Sequence, residues 1–165
     1  MTGTTVNASA VLRRGRVWSI GAIAGLAGGA MEVGWIALYQ QLSGHDGAIV
    51  ARGVTQTVIP DLAAAPSAVA LGLAIHMALA VGLGIVIAVL VPRLLPRIVG
   101  TALEPMLVVA LLVGVWAMNF FVVLPAINPE FVTLVPYGAS LASKVLFGFA
   151  AATVFWFTRR QRAAA

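Results

Sequence analysis

The sequence predicts an all-α fold, a four-transmembrane-helix bundle with both termini cytoplasmic and a short interfacial helix in the first outer connection. Three observations predict it. The 165 residues are 61% hydrophobic with a mean hydropathy of +1.04, and 9% are charged, against about 25% in a soluble domain. Four stretches, 17–40, 67–91, 103–124 and 137–158, reach the ~20 mostly apolar residues that a membrane helix needs. Eight of the nine arginines fall on one side of those spans. Intrinsic disorder is excluded, because it requires low hydrophobicity and high charge. The absence of cysteine excludes disulfides, thiolate metal sites and cysteine catalysis. Residues 1–165 read as a single integral membrane domain without an internal repeat.

The first span follows Arg13, Arg14 and Arg16. It is longer than the 7–15 residues of a signal-peptide core and contains Glu32, so it is expected to be a retained anchor. The connection 41–66 is long, and Ala48 to Ile59 is apolar enough for a short helix on the membrane surface, ended by Pro60. His45 and Asp46, flanked by Gly44 and Gly47, read as a turn, and Asp61 after Pro60 as turn or cap chemistry.

Pro92 and Pro96 are expected to end the second span, and Arg93 and Arg97 follow it. Thr101 and Glu104 have capping-box spacing at the start of the third, next to Pro105. The last outer connection, Pro125 to Pro136, carries Phe131, Leu134 and Val135, which are expected to dip into the interface. Arg159, Arg160 and Arg162 follow the fourth span. Arg52 alone lies in the other connections, so the positive-inside rule places both termini in the cytoplasm. Trp18, Tyr39, Tyr137 and Trp156 fall near span ends, where amphipathic rings prefer to sit. The net charge of +5 is therefore topological. Arginines dispersed over three short segments give no nucleic-acid site, and the expected partners are the lipid bilayer and either further copies of the chain or a larger membrane complex.

Each span also supplies one member of a polar set, Glu32, His76, Asn119 and Lys144, the last being the sole lysine. An ionisable residue within a span costs roughly 2.5–3.5 kcal/mol on the insertion scale and needs a reason. Counted from the cytoplasmic end of its helix, each lies roughly 14 to 17 residues up, about 20–25 Å, so the four share one layer outside the midplane. Small residues every four positions mark packing faces: Gly21, Gly25 and Gly29 near Glu32; Gly72, Ala80 and Gly84 around His76; Ser140, Gly148 and Ala152 around Lys144. Asn119 lies on another stripe, with Leu112 and Trp116.

The plainer reading of this layer is a buried pair, Glu32 and Lys144, that holds helices in register with His76 and Asn119 as hydrogen-bond partners. Lys144 alone can also snorkel toward the outer interface. The functional reading is a ligand or proton site. Burial favours a neutral carboxyl and a nearby ammonium favours a charged one, so a carboxylate in this setting can exchange a proton when its partner moves. Histidine, with an unperturbed pKa near 6.5, is a natural second carrier.

The run Ala30-Met31-Glu32-Val33-Gly34-Trp35 resembles the first-helix motif of the small multidrug-resistance transporters, particularly their guanidinium exporters. The resemblance implies that Glu32 is the site exchanged between protons and a cationic substrate. The chain departs from that family in its length, in the 41–66 connection and in Lys144, which repels a cation. More broadly, the run Gly21 to Gly25, the His76 helix with its glycines, the proline-bearing end of the third span and the Gly148 helix resemble the uncharacterised four-helix bacterial inner-membrane proteins of the YagU type. That resemblance implies a bacterial inner-membrane protein and carries over no catalytic residues.

Other chemistries have less to stand on. A haem spanning helices wants two facing histidines, and His76 is the one within a span. Met31, Met77 and Met118 with His76 suit Cu(I), but methionines ordinarily fill gaps. A retinal Schiff base at Lys144 needs a thicker cage than four helices. No nucleophile elbow or paired aqueous carboxylates are present, so no enzyme activity, catalytic residue, cofactor or metal is expected. The two open function classes are a small ion- or proton-linked transport or binding protein and an accessory or assembly subunit.

Overall fold

A computed structural model describes the backbone of residues 8–163 and the side chains of residues 15–160. Arg13, Arg14 and Arg162, which enter the orientation argument, have side chains outside the described residues. The fold is all-helical, with no strand among the described residues. Helices α1 (Ala8–Leu42), α2 (Ala48–Val58), α3 (Ala68–Leu94), α4 (Leu103–Met118), α5 (Leu124–Ile127) and α6 (Tyr137–Ala163) follow in chain order. Four segments are long and apolar enough to cross a membrane: Gly15–Leu42, Ala68–Leu94, Leu103–Ile127 and Tyr137–Arg160.

The second and third spans run past the ends read from the sequence, and proline explains both differences. Pro92 does not end α3 but sits in its last turn, and the helix closes at Leu94 with the Leu95 N–H on the Val91 carbonyl. A proline near a helix end forfeits one hydrogen bond without a whole turn to distort. The third span does not stop at residue 124. A π-helical turn over Asn119–Val123 precedes Pro125, and α5 continues to Ile127. The wider turn carries the helix into a proline that cannot donate to the preceding ladder.

The four long helices stand in the order α3–α1–α6–α4, with α1 packed on both α3 and α6 and α4 packed chiefly on α6. Glycine sets the α1–α3 approach. A Cβ on Gly25 would strike the Ala80 carbonyl and lie 2.7 Å from the Val81 Cα, and one on Gly84 would strike the Gly21 carbonyl. Such close crossing is how helices gain packing energy where lipid gives no hydrophobic drive. The main core joins Ala24, Ile87, Ala88, Val91, Val108, Leu112, Phe147, Ala151, Ala152 and Phe155 from all four helices.

Arg93, Arg97, Arg159 and Arg160 mark one end of the molecule as basic. At the opposite end α2 lies across the start of α3, where the fully buried Thr55 donates to the Ala68 carbonyl at 2.6 Å. Gly72 faces α2 rather than a long helix, since a Cβ there would strike the Ala51 carbonyl. Asn128 donates to Thr57 at 2.8 Å, and Gln40 to the Leu134 carbonyl at 3.0 Å. Phe131 and Leu134 pack over Gly53, and Val135 is buried. The last connection thus closes against α2 and the bundle. Asp46 makes the expected turn, accepting the Ala48 N–H at 2.9 Å and pairing with Arg52 at 2.8 Å.

Candidate functional site

Glu32 reaches α6 because Gly28, one turn earlier on α1, leaves a notch that the Phe147 ring fills; a Cβ at Gly28 would strike that ring. Phe147 is 1% exposed and lies beneath the Lys144 ammonium, 5.4 Å from it. This aromatic floor sets the height of the ion pair above it. Lys144 Nζ donates to Glu32 Oε2 at 2.7 Å, with side-chain exposures of 15% and 11%. From α3, His76 Nε2 stands 3.8 Å from the same carboxylate oxygen. That nitrogen is buried and has no hydrogen-bond partner among the described residues.

Ser143 completes the centre. Its hydroxyl lies 3.3 Å from Glu32 Oε1 and 2.6 Å from the Ser140 carbonyl. One hydroxyl proton serves both acceptors, and the shorter contact favours the carbonyl, so Lys144 is the principal partner of Glu32. The hydroxyl lies one position from Lys144 on α6, outside the small-residue stripe, and the signal that finds it is proximity to that lysine.

The structure therefore brings together three of the four polar residues singled out by depth, and Asn119 is not one of them. Among the described residues its side chain makes no hydrogen bond to Glu32, His76 or Lys144, and it opens the π-helical turn. Its stripe faces α6 instead. Trp116 donates to Ser140 Oγ at 3.0 Å, and its ring stands 5.6 Å from Phe120 and 5.5 Å from Phe121. Met31 and Met118 are exposed and do not converge on His76, while Met77 packs under Gly29. No group of three or more His, Asp or Glu side chains among the described residues could hold a metal ion.

A second buried ion pair lies at the basic end. Glu104, at 7% side-chain exposure, pairs with Arg159 at 2.5 Å and accepts the Gly100 N–H at 2.7 Å. Gly100 takes a φ of +81°, a turn that favours glycine. The expected capping box does not form, because α4 is capped at Ala102 without a side-chain hydrogen bond and Glu104 accepts from Gly100 instead, as one half of an ion pair. Its other half lies 55 residues away and reads, in sequence, only as a topological charge.

An ion pair beside an imidazole whose Nε2 has no hydrogen-bond partner among the described residues can, in a low-dielectric setting, hold a proton or orient a small ion. No known protein family, curated protein or solved structure matches the chain.

Proposed function

We propose that this is a multi-pass bacterial inner-membrane protein with both termini cytoplasmic, in which Glu32, His76 and Lys144 form an ion- or proton-linked transport or binding site. The membrane setting rests on the four apolar helices, and the orientation on the arginine asymmetry. The inner membrane of a bacterium is where the YagU-type resemblance would put it, and α2 would lie in the outer interface.

The observation that carries the site is His76 Nε2, buried, without a hydrogen-bond partner among the described residues and 3.8 Å from Glu32 Oε2. A buried polar atom left unmatched costs about 1–3 kcal/mol. A proton on that nitrogen turns it into a donor aimed at the carboxylate, and a charge-assisted bond replaces the unmet one. With histidine neutral, Glu32 and Lys144 already cancel. An added proton leaves one net positive charge in low dielectric, which is costly unless compensated. The centre therefore favours taking up a proton together with a small anion. This departs from the cation exchange that the multidrug-transporter resemblance implies, and Lys144 is the reason.

The test is flux into vesicles that hold a pH-sensitive dye. The reconstituted protein is expected to show anion-stimulated proton uptake, lost in Glu32→Gln and His76→Gln variants that elute as the wild type does. Uptake no faster than in empty vesicles, or unchanged by Glu32→Gln, would sink the proposal.

One observation favours the alternative of an accessory or assembly subunit with a structural polar layer. Gly82 and Gly114 lie on exposed faces of α3 and α4 with open space around them, as small residues awaiting another helix would. A stoichiometric partner retained in mild detergent, with no effect of Glu32→Gln, would establish that reading.

A further inference from the structure

The seam between α4 and α6 at the basic end has a polar part and an apolar part that share two residues. The polar part is a cleft of about 280 Å³ lined by Gly100, Thr101, Glu104, Pro105, Trp156, Arg159 and Arg160. The apolar part, about 350 Å³, continues along the seam between Pro105, Phe149, Ala152, Thr153, Trp156 and Phe157. Pro105 and Trp156 line both.

Charge and length together select an occupant. Among the described residues lining the cleft, Glu104 and Arg159 neutralise each other and Arg160 adds one positive charge. Its guanidinium lies 3.9 Å over the Trp156 ring, which holds the group at the mouth while its edge still carries N–H donors. Along α6, Phe149 lies about 15 Å from Arg159 at 1.5 Å per residue. That is half of the ~30 Å hydrocarbon core, the depth of one leaflet. Phe149 and Phe157 are 57% and 54% exposed and flank the groove, within a helix apolar enough to cross a membrane.

We propose that this seam is a binding site for an anionic phospholipid, with the headgroup phosphate at Arg160 and one acyl chain in the groove between Phe149 and Phe157. Basic clefts between membrane helices at the cytoplasmic face hold such headgroups by charge, and the apolar groove adds chain burial. Because α4 packs chiefly on α6, a lipid in their seam fastens α4 to the bundle.

The test uses the full chain in neutral detergent with phosphatidylglycerol, phosphatidylcholine or inorganic phosphate added. Retained lipid is read by native mass spectrometry and stability by the unfolding midpoint. Phosphatidylglycerol is expected to be retained and to raise the midpoint, with phosphatidylcholine and inorganic phosphate without effect. Arg160→Gln should weaken retention about fivefold, the worth of one arginine at an anionic surface. Thr153→Trp, at an exposed position, fills the groove and should abolish retention with the charges intact. Equal retention of phosphatidylcholine would overturn the proposal, as would the full midpoint shift with inorganic phosphate alone. Wild-type retention in both variants would overturn it as well.

Discussion

Glu32 is held by Lys144 from one side and faces His76 from another, and its substitution is not equivalent to theirs. Removing one partner of a buried pair leaves an uncompensated charge, which costs about 3–5 kcal/mol, whereas replacing both with neutral groups of similar shape is near neutral. Lys144→Met alone should therefore destabilise the protein by about that amount, and Glu32→Gln with Lys144→Met should recover most of it, as measured by unfolding in detergent. Comparable losses in the single and double variants would contradict the pairing. Asp46 gives a second prediction, at a surface position. The Ala48 N–H, and then the Arg52 guanidinium, hold its carboxyl below the usual range. A depressed folded value means its contribution is present above the unfolded value near 3.8 and is lost as pH falls through the lowered one. The first turn of α2 should then loosen only in strong acid, a change that Asp46→Ala removes, as read by hydrogen exchange at Ala48 and Ile49. At this scale the sequence reveals depth by counting along each helix and rotation by its small-residue stripes. Glu32, His76 and Lys144 were legible because each sits on a small-residue stripe. Asn119 shares their depth but lies on another stripe, with Trp116, and that face turns to α6. Glu104 and Arg159 each had a sufficient local explanation, which concealed their pairing.

Among the elements, α1 and α3 depend on glycine at their crossing and α4 does not depend on Gly114. Gly25→Val places methyls where the Ala80 carbonyl already lies, and should cost about 3 kcal/mol, the upper end of overpacking. Gly114→Ala meets nothing within 4 Å and should leave the unfolding midpoint of the isolated chain unchanged. If both substitutions were equally tolerated, the crossing would be misplaced. Thr55→Val removes the bond to the Ala68 carbonyl and should lower stability by about 1 kcal/mol, with α2 exchanging hydrogen faster. The four spans and α2 were readable from length, apolar runs and breakers. The roles of Pro92 and Pro125 were not, because a proline near a helix end can be absorbed by the last turn or by a π-helical turn. Gly72 also escaped, since a periodic stripe does not say whether its partner is another long helix or α2.

For the molecule as a whole, composition made an all-helical chain with four long apolar segments legible, while the order α3–α1–α6–α4 depends on packing that periodicity does not encode. Orientation can be tested cleanly because the chain has no cysteine. A cysteine placed at Ser43 should react with an impermeant maleimide on intact cells, and one at Arg97 only after the membrane is opened; the reverse pattern would invert the proposed topology. Proton exchange at the proposed Glu32–His76–Lys144 centre can be read by nitrogen magnetic resonance of the His76 ring across pH 5 to 8. Wild-type His76 is expected to gain a proton reversibly on acidification, and in Glu32→Gln to stay neutral. A ring that remains neutral throughout in the wild type, or that titrates identically in both, would contradict that exchange.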